Sequence, residues 1–214
     1  MVTPRRRAAL LLVIALTACS PASDTDRAAP SPTPSGPREI EGEGAALPPG
    51  RYTFTPFEPR VTFEVGKGFE GGHTNAEFFD VFYAETSALA FARPGFVTDR
   101  GGGRLDTADA SPEDIVAALR TGNGLEDVRT VTLTIGSEVV DAVEGRGRKG
   151  GFPLFGGPGG EFGIVKGDGY RIAPLEVEGE LVLVMQMATE PPFARAFAAT
   201  DPILPTIDFG GAGP

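Results

Sequence analysis

The residues able to do chemistry are few. His73, in Glu70-Gly71-Gly72-His73, is the only histidine of the 214-residue chain. A Ser-His-Asp hydrolase would have to use it, yet no Gly-x-Ser-x-Gly elbow occurs to present a nucleophile. His73 therefore reads as a solvated loop residue. Glu176, Glu178 and Glu180 lie close in sequence, and paired carboxylates can hydrolyse glycosidic bonds. The aromatic platforms that usually hold a sugar are scarce, with no Trp and three Tyr, so a solvated turn accounts for them more simply. Asp106, Asp109 and Asp114 miss the EF-hand spacing and leave only a loop calcium site open. Gly101-Gly102-Gly103 lacks the Lys-Ser/Thr that completes a phosphate loop. One Cys and one His exclude an internal disulfide and a Cys/His zinc site. No cofactor motif and no metal site emerges.

A different kind of candidate lies at Gly145–Gly160. Arg146, Arg148 and Lys149 gather positive charge in an acidic chain, and Phe152, Leu154 and Phe155 follow at once. Glycines on both sides leave the backbone adaptable. Apolar groups on such a loop either fold back on the core or meet a partner. In the second case the basic side chains would steer an anionic group to the same place. These six residues are the candidate contact surface.

These candidates are positioned by a scaffold that turns on Tyr170–Ala188. The stretch reads as a β-hairpin with Glu178-Gly179 at its turn, because Gly accepts the positive φ that primed turns require. That centring pairs Val177 with Glu180, Leu175 with Val182, Ala173 with Val184, Pro174 with Leu183, Ile172 with Met185 and Tyr170 with Met187. Leu181–Met187 is apolar on both faces except at Gln186, so the sheet must be covered on both sides. Pro174 has no N–H to donate, which makes its strand an edge, or bulged, at that point.

The domain is expected to begin near Leu47. Arg51–Phe57 and Val61–Val65 read as short strands, followed by a Gly-rich loop over Gly66–Asn75. Glu77–Tyr83 and Ala88–Phe91 read as another strand pair. Ser111-Pro112-Glu113-Asp114 opens a helix: Ser111 can cap it, Pro112 fits its first position, and Gly122 ends it. Val131–Ile135 alternates as a strand that continues toward Val143, and Arg146–Gly160 reads as a second Gly-rich loop. Phe193, Phe197, Leu204 and Ile207 are spaced for a last helix that Pro202 and Pro205 shorten. Strands at hairpin spacing with separate helices give an α+β fold, a mainly antiparallel sheet with helices packed on it.

The N-terminus gives an address. Arg5, Arg6 and Arg7 precede the apolar run Ala8–Ala18, which is too short to cross a bilayer, since that takes about 20 residues. This is the layout of a secretory signal over residues 1–18. Its end, Leu16-Thr17-Ala18-Cys19, resembles the bacterial lipobox. That resemblance implies cleavage before Cys19 and a diacylglyceryl group on its thiol, hence a membrane-anchored protein facing outside the cytoplasm. Residues 1–18 hold three Arg and no acid, so their removal takes the formal charge from −10 to −13. Such acidity excludes nucleic-acid binding, which needs a basic surface. Residues 19–46, with Pro21, Pro30, Pro32, Pro34 and Pro37, read as a disordered tether reaching roughly 80 Å at about 3.1 Å per residue.

Several segments together resemble one family. Leu47–Phe57 (LPPGRYTFTPF) and Arg60–Phe69 (RVTFEVGKGF) are similar to an opening common among uncharacterised envelope lipoproteins of actinobacterial type. That opening usually ends in Gly-Trp, where this chain has Gly68-Phe69. LEVEGELVLVMQMA at 175–188 and FARAFAATDPILPTIDF at 193–209 resemble the closing hairpin and helix of the same proteins. The resemblance covers most of residues 47–209 and implies a PsbP-like α/β/α sandwich. Such domains serve mostly as protein-binding or accessory modules, and the family brings no catalytic motif. The expectation is a lipid-anchored, non-enzymatic envelope module that binds a protein or small ligand. A carboxylate-dependent hydrolase of envelope or extracellular glycans is the alternative.

Overall fold

The computed structural model describes residues 36–99, 101–189 and 191–210. Cys19, the signal segment and the first part of the expected tether lie outside them. The end of that tether does not behave as one. β1 (Arg38–Glu39) runs parallel to β3 (Gly50–Thr53), and β2 (Ala46–Leu47) pairs with β5 (Phe69–Asn75). Ile40, between β1 and β2, is buried in the core. The fold thus takes in residues from Arg38, ahead of the expected boundary at Leu47.

The chain continues through β4 (Val61–Val65), β6 (Phe78–Tyr83), β7 (Ser87–Ala92), β8 (Phe96–Thr98) and β9 (Arg104–Asp106) to helix α1 (Pro112–Thr121). The α1 N-terminus is the expected capping box. Ser111 Oγ accepts the Asp114 N–H while the Asp114 carboxylate accepts from the Ser111 backbone. Ile115, Ala118 and Leu119 form its buried stripe. β10 (Leu125–Ile135) and β11 (Glu138–Gly147) then form a hairpin, so the single strand expected to run on toward Val143 turns back after Ile135. β12 (Phe152–Gly157) lies within the second expected Gly-rich loop, and β13 (Gly160–Ile164) follows at its end and pairs with it. β14 (Gly169–Val177) and β15 (Glu180–Ala188) follow, then α2 (Phe193–Thr200), a short 3-10 turn at Leu204–Thr206, and β16 (Asp208–Phe209).

These strands build three mainly antiparallel sheets: β10-β11-β14-β15-β7-β6-β5-β2, β1-β3-β4-β16 and β13-β12-β8-β9. With two helices the fold is α+β. The β14–β15 hairpin has the anticipated register at every pair, from Val177 opposite Glu180 to Tyr170 opposite Met187. Glu178 and Gly179 both take positive φ, 54° and 81°, as a primed turn demands. β14 pairs with β11 only from Gly169 to Ile172, so Pro174 sits where that flank of the strand has no partner.

Both faces of the eight-stranded sheet are buried. On one face Val182 and Val184 pack with Phe79, Leu89 and Phe91 beneath the β1-β3-β4-β16 sheet. On the other, Leu183 and Met185 pack with α1 and the β13-β12-β8-β9 sheet. Val184 is fully enclosed. Val184→Asp would place an unpaired charge there, which is severely unfavourable. We expect no cooperative thermal unfolding for this variant by circular dichroism; a melting curve close to wild type would contradict burial on both faces.

Candidate functional site

One face of the large sheet carries an uncommon set of side chains. Alternation along β6 turns Phe78, Asp80 and Phe82 to the same side, away from Phe79 and Val81. Next to them β7 offers only Ala88, Ala90 and Ala92, and β15 and β14 then bring Met187 and Tyr170. The methyl row between two bulky rows leaves a depression over Ala88. The β13-β12-β8-β9 sheet roofs it with Phe155 and Phe162, stacked at 4.9 Å between centroids. Phe162 reaches Phe78 at 5.9 Å and stands edge-on to Tyr170 at 6.4 Å. The result is a cleft of about 460 Å³ with predominantly apolar walls, within the range of small-molecule sites.

Asp80 lines this cleft, with its side chain only 3% exposed. Its Oδ1 has no hydrogen-bond partner. Its Oδ2 lies 3.6 Å from Nδ1 of His73, whose side chain is 64% exposed. A β-bulge produces this arrangement. Gly71 is opposite Val81 and Thr74 opposite Phe79, so both Gly72 and His73 face Asp80. Gly72 must be glycine: a Cβ there would stand 1.8 Å from Asp80 Oδ1 and 2.5 Å from the Phe82 ring. Burial, the largest influence, pushes the Asp80 carboxyl up to about 6; His73 pulls it down and Glu43 adds a small push upward.

Of the sequence candidates, only His73 and Phe155 line this cleft. His73 is on strand β5, in the stretch expected to be a Gly-rich loop, and it is exposed. Glu176, Glu178 and Glu180 are exposed at the tip of the β14–β15 hairpin, outside the cleft; Glu180 meets Arg93 at 3.4 Å. Asp114 is held in the α1 capping box and Asp106 accepts the Ala108 N–H. Among the described residues no group of three or more His, Cys, Asp or Glu converges to hold a metal. The N–H groups of Gly101 and Gly103 both go to Asp99 Oδ1 at 2.8 Å, so this turn has already found its anion.

The Arg146–Phe155 set is split. Arg146, Arg148 and Lys149 are exposed, with Arg146 Nε donating to the Gly167 carbonyl at 3.3 Å. Phe152 is half-buried, and Leu154 and Phe155 are core residues beneath the small sheet. The expected adaptable loop is strand from Phe152 onward, so the apolar members do not form a free surface. Only Phe155 reaches the cleft wall. Asp80 escaped the sequence reading altogether. Its signal is a lone carboxylate in Phe-Phe-Asp-Val-Phe-Tyr (78–83), sharing a strand face with two Phe.

No helix among the described residues is long and apolar enough to cross a membrane.

The raised Asp80 carboxyl makes a pH prediction. Its folded value of about 6 exceeds the ordinary 3.8, so the fold binds the proton more tightly than the unfolded chain does. The stability this contributes is complete below about pH 3.8 and is lost as pH rises through about 6. Asp80→Asn removes the buried charge and should stabilise the fold at neutral pH by roughly 1–3 kcal/mol. Thermal melts from pH 4 to 7.5 should show the variant's advantage growing across that window. Parallel profiles for the two proteins would mean that folding does not raise the Asp80 carboxyl.

Neither a family model nor a curated protein sequence matches this chain.

Proposed function

We propose that the protein is a lipid-anchored, extracytoplasmic binding module of the cell envelope that holds a small organic ligand in the cleft between its sheets. The domain would be a variant of the PsbP-like sandwich of the envelope lipoproteins that its opening and closing segments resemble. The observation that carries the binding reading is the cleft: about 460 Å³, walled by Phe78, Phe155, Phe162, Tyr170 and Met187, with the buried Asp80 beside it. Concave apolar sites with a few placed polar groups are the usual form of small-molecule pockets.

The hydrolase alternative draws less support. The glutamates that motivated it stand at an exposed hairpin tip. The one serine in the cleft lining, Ser87, donates its hydroxyl to the Ala196 carbonyl at 3.0 Å and has no hydrogen bond to a base among the described residues. Exposed Arg146, Arg148 and Lys149 remain available for a protein partner, without the apolar anchors that a contact surface would need.

Two experiments test the reading. A neutral solvatochromic dye, N-phenyl-1-naphthylamine, should bind the full chain saturably at one site. Met187→Trp, at a half-buried wall position, should weaken it at least about tenfold while the melting temperature stays within a few degrees. Non-saturable dye uptake, or undiminished binding by Met187→Trp, would remove the cleft from consideration. For the anchor, Cys19→Ser should move the protein from the membrane fraction to the soluble one and abolish labelled fatty-acid incorporation. A mutant that stays acylated and membrane-bound would refute the lipobox assignment.

A further inference from the structure

We infer that the cleft selects a small organic cation, a protonated amine on an apolar body, over neutral or anionic molecules of the same shape. This rests on the reading of the cleft as a ligand site and adds the class of ligand.

Three independent features point the same way. The first is Asp80. A carboxylate whose side chain is 97% removed from solvent is costly to maintain unless something donates to it; Oδ1 is unpartnered but packed against Gly72, so a donor in the cleft would meet Oδ2. An ammonium group brings up to three N–H donors and the compensating charge, a hydroxyl brings one donor and no charge, and an anion brings neither. The second is the sign of the lining. Glu77, Glu85 and Asp168 also border the cleft and form no ion pair among the described residues, and they outnumber the one arginine of the lining, Arg93, whose Nη2 reaches Glu180 at 3.4 Å while its Nε is unpartnered. Local potential in such a cleft is negative and favours a cation. The third is the walls. Phe78, Phe162 and Tyr170 present ring surfaces, which attract an organic cation and pack against its apolar part.

The titratable and charged groups that face Asp80 can be named. His73 approaches from β5 and Glu43 from the β1–β2 connection, and β7 brings Ala90 opposite it. Arg93, Glu77, Glu85, Glu161 and Asp168 stand further off around the cleft. His73, 3.6 Å away, is the side chain placed to compete with a bound amine for the carboxylate. Its exposure lets it swing to solvent when a ligand charge arrives.

The test uses three probes of one shape on the full chain: 2-phenylethylammonium, 2-phenylethanol and 3-phenylpropanoate. Titration calorimetry at pH 7.5 should show the amine binding at least about tenfold more tightly than the alcohol, with the carboxylate weakest. The amine keeps its charge from about pH 5 to 8, so its affinity should fall as pH drops through the Asp80 titration while the alcohol's stays level. Asp80→Asn should bring the amine to within about threefold of the alcohol, whose own affinity should move far less than the amine's because the Asn amide oxygen still accepts its hydroxyl. Equal binding of amine and alcohol, or a preference that survives Asp80→Asn, overturns the cation inference and leaves the ligand site standing. Failure of all three probes while the neutral dye binds overturns it likewise. Failure of the dye as well overturns both readings.

Discussion

The rest of the structure depends on the need to cover a sheet that is apolar on both faces. The β14–β15 hairpin stands in the middle of eight strands, and its side chains point alternately into two cores. Each buried Val, Leu or Met contributes roughly 1.5–3 kcal/mol, so neither face can be left wet. The chain meets this with two unlike covers. One is the β1-β3-β4-β16 sheet, whose Phe63 stacks on Phe91 at 5.4 Å, while Phe54 and Phe57 each pack 5.2 Å from Phe79. That core is continuous. The other cover is divided between α1, which lies against β10, β11 and β14, and the small β13-β12-β8-β9 sheet. Where the small sheet passes over β6 and β7 it meets alanines, and the cleft is the space that remains.

The two faces also treat buried polar groups differently. Gln186, on the sealed face, is 1% exposed and fully engaged. Its amide nitrogen donates to Thr200 Oγ1 at 2.9 Å and to Asp201 Oδ1 at 2.8 Å. Arg171 beside it binds Glu144 and Asp201, and its guanidinium lies 4.3 Å from the Phe197 ring. Burial pushes the Glu144 carboxyl up, but hydrogen bonds from Arg171 and Arg129 more than offset this and leave it below its usual range. This network ties α2 to the sheet and settles the polar atoms it buries. Nothing comparable surrounds Asp80.

Much of this fold was legible in the sequence, and the illegible parts share one cause. The hairpin register followed from a two-residue turn and strict alternation, Pro174 marked the unpaired flank, and Ser111 with Asp114 announced α1. β5 and β12 were misread as loops because they are rich in glycine. Gly72 clears the space for Asp80 Oδ1, and at Gly156 a Cβ would fall 2.7 Å from the Phe96 ring. Glycine in these strands records a close approach by another group, which a single sequence does not separate from chain flexibility. The same confusion hid the site. Once Gly71-Gly72-His73 is taken as loop, Asp80 has a strand partner on the β7 side alone and nothing marks it as buried. The basic-aromatic segment at 146–155 failed for the related reason that strand pairing took Leu154 and Phe155 into the core.

Comparison of the carboxylates within the chain gives the cleft its meaning. Asp99 accepts two backbone N–H groups, Asp114 closes a helix cap, Asp201 and Glu144 share Arg171, and Asp208 pairs with Arg51 at 2.7 Å. These acids have structural work, and most of them do it in contact with water. Asp80 is more deeply buried than any of them, and its one ion-pair candidate among the described residues is a histidine at 3.6 Å. Leaving a buried acceptor unsatisfied costs about 1–3 kcal/mol, and an open cleft forfeits apolar contact in the same place. Two separate structural defects would have no reason to coincide. A ligand of the kind proposed above, with a donor at one end and an apolar body at the other, would offset both.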